Sequence, residues 1–220
     1  MTESNQLKIS LRKELQKRRN LISSEQQEKT SKLICKQLHH LPLFRRAQNV
    51  ALYWPFRGEV DVTDLVNDPS KTWYLPLVSD ALRPWEKQRL IFQPKIAEDP
   101  GITNRYGIKE PTPDKKLEFD AQMLDIVLLP LLGFDRQGNR LGMGKGYYDR
   151  TFASGWRRPK LIGLAHGDQE CEALIQEEWD VALDLIITEN GWIDCKGENP
   201  GLSTHFYQPI FINQRLDQVR

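Results

Sequence analysis

The chain has 220 residues and a formal net charge of +1, with 39% hydrophobic and 28% charged residues, which is typical of a globular protein with one large domain. The near-neutral charge argues against a broad basic surface for nucleic acid, and no apolar run approaches the ~20 residues that cross a membrane. Three widely spaced cysteines and an N-terminus without an apolar signal segment favour the cytoplasm. We expect a cytoplasmic protein that binds neither nucleic acid nor membrane, and we expect it to be a monomer.

Residues 7–20 predict an N-terminal helix with two distinct faces. Leucines at every fourth position predict an apolar stripe; they are Leu7, Leu11 and Leu15. Lys8, Arg12 and Arg19 fall within an arc of about 40 degrees beside that stripe. From the residues alone, this basic arc is interpreted as a solvated helix face.

A second helix is predicted from Ser24, which completes an S-x-x-Q capping box with Gln27, to about His40. Short branched or aromatic runs then predict six strands, at residues 49–56, 72–78, 89–94, 125–134, 160–166 and 184–190. Segments of helical composition lie between several of these strands, at residues 61–68, 146–154 and 169–179. The alternation predicts an α/β fold, with a mainly parallel, buried sheet and helices on both faces.

Two segments show neither helical nor strand periodicity. Residues 98–116 are rich in proline, glycine and charge, and they predict a long surface loop. The tail after Trp192 has little helical periodicity and predicts either an appendage packed on the domain or a mobile segment.

The most informative stretch is NRLGMGKGYYDR, residues 139–150, in which glycine alternates at positions 142, 144 and 146. It stands between a predicted strand and a predicted helix, an arrangement that can direct backbone N–H groups toward an anion. A tight turn without a ligand is the alternative. Tyr147 breaks the dinucleotide pattern G-x-G-x-x-G, and Gly146 stands where a Walker loop has serine or threonine. The stretch therefore favours a phosphate-binding loop of another design.

Asp149 lies three residues into the predicted helix, and its residue type supports two interpretations equally. A carboxylate in a first turn interacts favourably with the helix dipole. It is also a ligand that Mg²⁺ accepts together with nucleotide phosphates.

The segment LLGFDRQGNRLGMGKGYYDR resembles the signature of the 5-formyltetrahydrofolate cyclo-ligase family. Three further segments are similar to the family in the same order: KISLR, ALYWPFRGEVD and AHGDQ…EEWDVALDLIITE. The resemblance covers nearly all of residues 7–192. It implies a single domain over residues 1–195, with N-terminal helices and an α/β/α three-layer fold around a mainly parallel sheet. Residues 196–220 lie outside the family pattern, as a C-terminal extension of unknown role.

The resemblance also implies a reaction, in which 5-formyltetrahydrofolate, with or without a polyglutamate tail, becomes 5,10-methenyltetrahydrofolate. ATP is the co-substrate, Mg²⁺ is required, and ADP and phosphate are released. Phosphorylation of the formyl oxygen would turn it into a good leaving group, so that N10 closes the ring.

By the same resemblance, ATP contacts fall to Lys8, Arg12, Arg140, Leu141, Gly142, Met143, Gly144, Lys145, Gly146, Tyr147 and Tyr148. Asp149 and Asp180 are implied as the metal-linked carboxylates. Catalytic roles are implied for Glu59, Arg140 and Lys145, and folate contacts for Trp54, Glu59 and Tyr147.

Two of these residues have equally simple structural interpretations. Glu59 follows a turn and can act as a surface cap, whereas Trp54 lies in a buried-looking strand and can belong to the core. His166 ends a strand and is interpreted as structural, with a position lining the site as the alternative. The alternative function is a nucleotide- or folate-binding regulatory protein that has the same fold but has lost the chemistry.

Overall fold

A computed structural model describes residues 3–78 and 89–197 of the chain. Its α-helices are α1 (Glu3–Asn20), α2 (Ser24–His40), α3 (Pro42–Arg46) and α4 (Tyr147–Phe152). Its strands are β1 (Asn49–Ala51), β2 (Thr72–Val78), β3 (Leu90–Pro94), β4 (Ile102–Thr103), β5 (Lys109–Glu110), β6 (Ile126–Pro130), β7 (Gly133–Phe134), β8 (Arg140–Leu141), β9 (Lys160–Leu164), β10 (Leu185–Thr188) and β11 (Gly191–Asp194). Short 3₁₀ turns span Thr63–Asn67, Lys115–Leu117, Ala121–Met123 and Gly167–Gln169.

The central sheet has the strand order β11-β10-β9-β6-β1-β2-β3 in the described residues. Strands β10, β9, β6, β1 and β2 run parallel to their neighbours in that series. The two edge strands, β11 and β3, are antiparallel. The sheet is therefore mainly parallel, as the sequence predicts.

Both faces of the sheet are buried, because its inner strands are apolar at consecutive positions. In β6, Leu128 packs into the core on one face and Leu129 into the core on the other. Ile34 of α2 and Phe44 of α3 cover the first face, and Phe152 of α4 covers the second. This is the three-layer α/β/α arrangement.

Helix α1 packs on the protein with Leu11 and Leu15 of its leucine stripe and also with part of its basic arc. Leu15 is buried, but Leu7 at the start of the leucine stripe is 53% exposed. Lys8 and Arg12 are partly buried and Arg19 is fully buried, so the basic arc turns inward. The prediction that this arc is solvated is therefore wrong.

The N-terminal cap of α2 differs by one residue from the prediction. Ser23, in extended conformation, accepts a hydrogen bond from the Gln26 backbone N–H at 3.2 Å. Ser24 is the first helical residue. The sequence contains S-x-x-Q in both registers, so the motif alone could not select the cap.

Residues 169–179 do not form the predicted helix. The Cys171 N–H donates to the Phe134 carbonyl at 2.7 Å, and the Leu174 N–H donates to Asp135 Oδ2 at 3.0 Å. These hydrogen bonds hold the segment along the β7–β8 hairpin. Because its backbone N–H groups donate to the hairpin, they are not available for hydrogen bonds within a helix.

Other differences concern length and continuity. The predicted strand 125–134 is divided into β6 and β7, and the predicted helix 61–68 is a single 3₁₀ turn. The predicted loop 98–116 contains the β4–β5 hairpin. Beyond Trp192, β11 continues to Asp194; the rest of the predicted appendage, from residue 198, lies outside the described residues. Within the described ranges, no helix combines the length and apolar character that a membrane crossing needs.

Candidate active site

The glycine-rich loop joins β8 to α4. Leu141 fastens its beginning in a small apolar cluster under α1. Gly144 and Gly146 have φ angles of 85° and 63°, which residues with a Cβ rarely adopt. Gly142 has no such constraint, and within 4 Å of the position of a Cβ added there, no atom of the described protein is found. Met143, between Gly142 and Gly144, is 48% exposed. The loop thus presents open backbone to solvent at Gly142.

Helix α1 brings a cation to this loop. Arg12 Nε donates to the Gly142 carbonyl oxygen at 3.0 Å. The Arg12 guanidinium carbon lies 3.2 Å from the position of a Cβ added to Gly144. Burial lowers the pKa of Arg12, and the negative charge of Asp180 opposes that change. Two segments far apart in sequence, both assigned to ATP by resemblance, are therefore in direct contact.

Two carboxylates lie beside the loop, each paired with a cation. Asp149 Oδ1 accepts from Arg140 Nη2 at 2.5 Å and from the Val181 N–H at 3.1 Å. Arg140 also donates to the Val181 carbonyl oxygen. Asp180 Oδ2 lies 3.1 Å from Lys8 Nζ. Since Val181 follows Asp180 in the chain, both carboxylates belong to one corner of the protein.

The route by which Asp180 reaches this corner was not evident from sequence. Asp180 precedes β10, so it stands near the amino end of that strand. The segment that follows it runs beside the β7–β8 hairpin, where the Leu183 N–H donates to the Gly138 carbonyl at 2.9 Å. The hairpin, and not a shared strand end, brings the two carboxylates together.

These two carboxylates fit a hard divalent cation that is shared with a phosphate ligand. Mg²⁺ commonly takes one or two protein carboxylates together with phosphate oxygens. The contacts above use Oδ1 of Asp149 and Oδ2 of Asp180, and each carboxylate has a second oxygen. Among the described residues, no three His, Cys, Asp or Glu side chains gather into a metal site made by protein alone.

Glu59 lies on a tight turn after β1. Arg57 and Gly58 have φ angles of 48° and 81°, and the Phe56 N–H donates to Glu59 Oε2 at 3.0 Å. Burial raises the pKa of Glu59 from 4.5 to about 7, against the opposing effects of Arg19 and the Phe56 N–H. A carboxylate with a pKa near neutrality is well suited to accept a proton. It is not an exposed cap, because its side chain is 11% exposed.

Tyr148 of α4 responds to charges on two sides of the candidate site. Burial raises its pKa, the nearby Glu59 raises it further, and the nearby Arg140 lowers it. The Tyr148 hydroxyl therefore lies in the electrostatic field of both Glu59 and Arg140.

The loop at residues 98–116 covers part of the site. The Tyr106 hydroxyl is 2.8 Å from the Tyr147 hydroxyl, and Lys145 Nζ lies 5.5 Å from the centre of the Tyr106 ring. A Cβ added to Gly107 would lie 3.9 Å from the Phe56 ring. This loop is therefore a wall of the site as well as a surface segment.

Trp54 lies between the core and an open cleft. It packs against the core on the first face of the sheet, and it also lines an open cleft of about 240 Å³. Lys95 and Lys109 line the same cleft, together with the carboxylates of Asp99 and Glu110. Both carboxylates accept hydrogen bonds from neighbouring residues, whereas no ion pair of either lysine is found within residues 3–78 and 89–197.

Three residues of the site were not assigned to it from sequence. Arg19 is buried beside Glu59, and its position on the arc of Lys8 and Arg12 was the available signal. His166 is buried, and its Nε2 lies 3.2 Å from the Gly58 carbonyl oxygen. Tyr106 was part of a segment interpreted only as a loop, and no local pattern marks it.

Comparisons with known proteins agree on one family. The model of the 5-formyltetrahydrofolate cyclo-ligase family matches residues 4–189. A 5-formyltetrahydrofolate cyclo-ligase of Haemophilus influenzae is 35% identical over 188 residues, which make up 83% of this chain and 98% of that protein. That of Escherichia coli strain K12 is 33% identical over 179 residues, 79% of this chain and 96% of that protein.

The fold is also similar to a solved structure. The NMR structure of Aquifex aeolicus 5,10-methenyltetrahydrofolate synthetase matches with a TM-score of 0.73 and 29% sequence identity. The match covers 92% of this chain and 100% of that one. The similarity therefore extends over the sheet, α1 and the glycine-rich loop together.

Proposed function

The chain belongs to the 5-formyltetrahydrofolate cyclo-ligase family, and from that premise we propose that it converts 5-formyltetrahydrofolate and ATP to 5,10-methenyltetrahydrofolate, ADP and phosphate. One observation supports this reaction above the others. Helix α1 contacts both sides of the site: Arg12 donates to the Gly142 carbonyl oxygen at 3.0 Å, and Arg19 Nη1 lies 3.8 Å from Glu59 Oε1. The helix thus links the glycine-rich loop to a carboxylate that can accept a proton, as a phosphorylation followed by ring closure requires.

The first step activates the formyl group. Its oxygen is a poor leaving group, so the γ-phosphoryl group is transferred to it. The bond between the γ-phosphorus and the bridging oxygen of ADP breaks, a bond from phosphorus to the formyl oxygen forms, and ADP leaves. Catalysis of such a transfer consists mainly of positioning and charge neutralisation.

The second step closes the ring. N10 attacks the activated formyl carbon, a carbon–nitrogen bond forms, and the carbon–oxygen bond to phosphate breaks. The proton of N10 passes to the Glu59 carboxylate. Its pKa of about 7 leaves a substantial fraction of Glu59 ionised at neutral pH and ready for this role.

The phosphates of ATP would lie against the glycine-rich loop. The open backbone at Gly142 gives a triphosphate close approach, and Arg12, Arg140 and Lys145 supply positive charge around it. Asp149 and Asp180 would hold Mg²⁺, which when bound neutralises charge on the phosphate oxygens. Lys8 contacts Asp180 and so orients one of these carboxylates.

The folate would lie between Trp54 and Tyr147, whose flat faces suit a heterocycle. The cleft beside Trp54 then offers a path for the aminobenzoyl-glutamate part of the substrate. Lys95 and Lys109 in that cleft are available to pair with glutamyl carboxylates, because the Asp99 and Glu110 carboxylates beside them accept hydrogen bonds from neighbouring residues. This supports polyglutamylated folates as substrates.

The three cysteines are free, which supports a reducing compartment and thus the cytoplasm as the place of reaction. A monomeric state remains a prediction from the sequence.

The experiment mixes the full chain with ATP, Mg²⁺ and 5-formyltetrahydrofolate and follows the absorbance of methenyltetrahydrofolate. We expect its gain to match the ADP formed, mole for mole, and to stop when ATP or Mg²⁺ is omitted. ATP binding without any absorbance gain would instead support the non-catalytic binding protein and contradict the proposed function.

A further inference from the structure

Arg19 is a buried cation whose hydrogen-bonding groups are mostly unused. Its side chain is 1% exposed, and its Nη1 donates to the Leu131 carbonyl oxygen at 3.3 Å. Its Nε and Nη2 have no hydrogen-bond partner in the described part of the chain. Burying a guanidinium in this state is unfavourable. A purely structural role is served better by an apolar side chain, so the charge itself calls for an explanation.

The anion that Arg19 faces is Glu59. Arg19 Nη1 lies 3.8 Å from Glu59 Oε1, and the carboxylate is itself nearly buried. The charged and titratable groups around this pair come from several elements: Arg19 of α1, Tyr53 and Arg57 around the turn after β1, Tyr148 of α4 and His166 after β9.

Arg19 is the cation in this set that water does not screen. Arg57 is exposed, and burial lowers the pKa of His166, which favours its neutral form. The Tyr53 hydroxyl donates to the Val60 carbonyl, and burial raises the pKa values of Tyr53 and Tyr148, so both are neutral. Burial has the largest effect on the charge state of Glu59, and among the surrounding charged groups Arg19 is the one that chiefly opposes it.

We propose that Arg19 is a positioning residue for ring closure, which keeps the Glu59 carboxylate charged and directed so that it can take the N10 proton. This role rests on the proposed function of Glu59, and Arg19 itself is too deeply buried to touch the substrate. The same arc of α1 carries Arg12 to the glycine-rich loop and Lys8 to Asp180. One helix would thus align the nucleotide side and the proton acceptor.

The test measures kcat/KM for 5-formyltetrahydrofolate against pH. Its acid limb reports the proton acceptor in the free enzyme, and we expect a midpoint near 7. Arg19→Gln keeps an N–H donor for Leu131 and removes the charge, so the midpoint should rise by about 1–3 pH units. At pH 7 this corresponds to a roughly fivefold to several-hundred-fold loss, which is recovered at higher pH. A loss of the same size at every pH, with the midpoint unmoved, overturns the proposal.

Two variants serve as controls. Arg18→Gln removes the neighbouring, half-exposed cation on α1 and should leave the midpoint unchanged. Arg19→Lys restores a cation and should bring the midpoint back toward the wild-type value. If Arg19→Gln does not fold, Arg19→Lys decides the outcome. Activity in Arg19→Lys as low as in Glu59→Gln, at all pH values, contradicts a role for the charge.

A second measurement separates this proposal from the proposed function. The carboxyl carbon of Glu59 is followed by ¹³C NMR during a pH titration of the full chain, without substrate. The signal is assigned by its disappearance in Glu59→Gln. A Glu59 titration that moves upward in Arg19→Gln supports the pairing even if no cyclo-ligase activity is found, whereas an unmoved titration overturns the pairing even in an active enzyme.

Discussion

At the scale of single residues, the three alternating glycines have different roles. Gly144 and Gly146 adopt left-handed backbone conformations, so substitutions there change the loop whatever the ligand does. Gly142 has an ordinary conformation and open space around it. A side chain at Gly142 would therefore disturb a ligand without disturbing the protein, which makes this glycine the informative one.

We predict that Gly142→Ala weakens ATP binding and leaves stability unchanged. The added methyl group meets no described protein atom, but it would crowd a phosphate held against the backbone. Overpacking costs about 1–3 kcal/mol, which is roughly 5- to 150-fold in affinity. Calorimetric titration with ATP and a thermal melt measure the two quantities. An unchanged ATP affinity would show that the phosphates do not approach this glycine.

Asp149 has two possible roles, as a helix-dipole partner and as a Mg²⁺ ligand, and a substitution can distinguish them. In Asp149→Asn the side-chain oxygen can still accept the Val181 N–H, so the corner keeps its geometry. The loss of charge should weaken binding of Mg·ATP at least about tenfold, or about 1.4 kcal/mol, while folate binding changes little.

The matched control for Asp149→Asn is Asp120→Asn, at a 3₁₀ turn before the amino end of β6. Asn caps such a turn as well as Asp does, so Mg·ATP binding should be unaffected. Equal losses of Mg·ATP and folate affinity in Asp149→Asn would count against a metal role.

At the scale of elements, α1 and α2 show the limits of local sequence patterns. The patterns predict both helices, but they do not settle which side chains of α1 are buried or which serine caps α2. In α1, Leu11 and Leu15 pack against the protein as the leucine stripe predicts. Leu7 is exposed, however, and Arg19 of the basic arc is buried. Helical periodicity separates the apolar face of α1 from its basic face, but it does not predict that part of the basic face is buried. In α2 the capping motif occurs in two adjacent registers, and Ser23 is the residue that caps.

We predict that Ser23→Ala lowers the free energy of unfolding by about 1 kcal/mol, because it removes the acceptor for the Gln26 N–H. Ser24→Ala is the matched control and should be close to neutral, since Ser24 is already inside the helix. Urea denaturation of both variants measures the difference. The reverse order of the two effects would restore the capping box predicted from the sequence.

At the scale of the whole molecule, the raised pKa of Glu59 links folding to pH. Its pKa is about 7 in the folded protein and 4.5 ordinarily, so the folded state binds the proton more tightly than the unfolded state. The stability that this proton gives is fully present below pH ~4.5 and is lost as the pH rises through about 7.

We predict that the free energy of unfolding of the wild type, relative to Glu59→Gln, falls by up to about 3 kcal/mol between pH 4.5 and pH 8. Gln cannot titrate, so the variant lacks this dependence. Chemical denaturation at a series of pH values measures the difference. A difference that is flat across the range, or that rises with pH, would mean that Glu59 is not buried as described.

Much of the fold and part of the site could be predicted from sequence, for identifiable reasons. Strand β2, Thr72–Val78, was predicted with its observed bounds, because a branched and aromatic run between polar ends depends only on neighbouring residues. The helix predicted for residues 169–179 is absent because the backbone N–H groups of Cys171 and Leu174 donate hydrogen bonds to residues more than thirty positions away. No local propensity contains such partners.

The sequence by itself determined the mainly parallel sheet and the glycine-rich loop with its charged residues, because these depend on patterns within a few adjacent positions. Tertiary structure alone decided that Arg12 meets Gly142, that Asp180 shares a corner with Asp149, and that Arg19 lies buried against Glu59. The physical reason is that burial and electrostatic coupling depend on which distant segments pack together. A carboxylate with an ordinary pKa in an isolated turn acquires one of about 7 only when the surrounding protein excludes water from it.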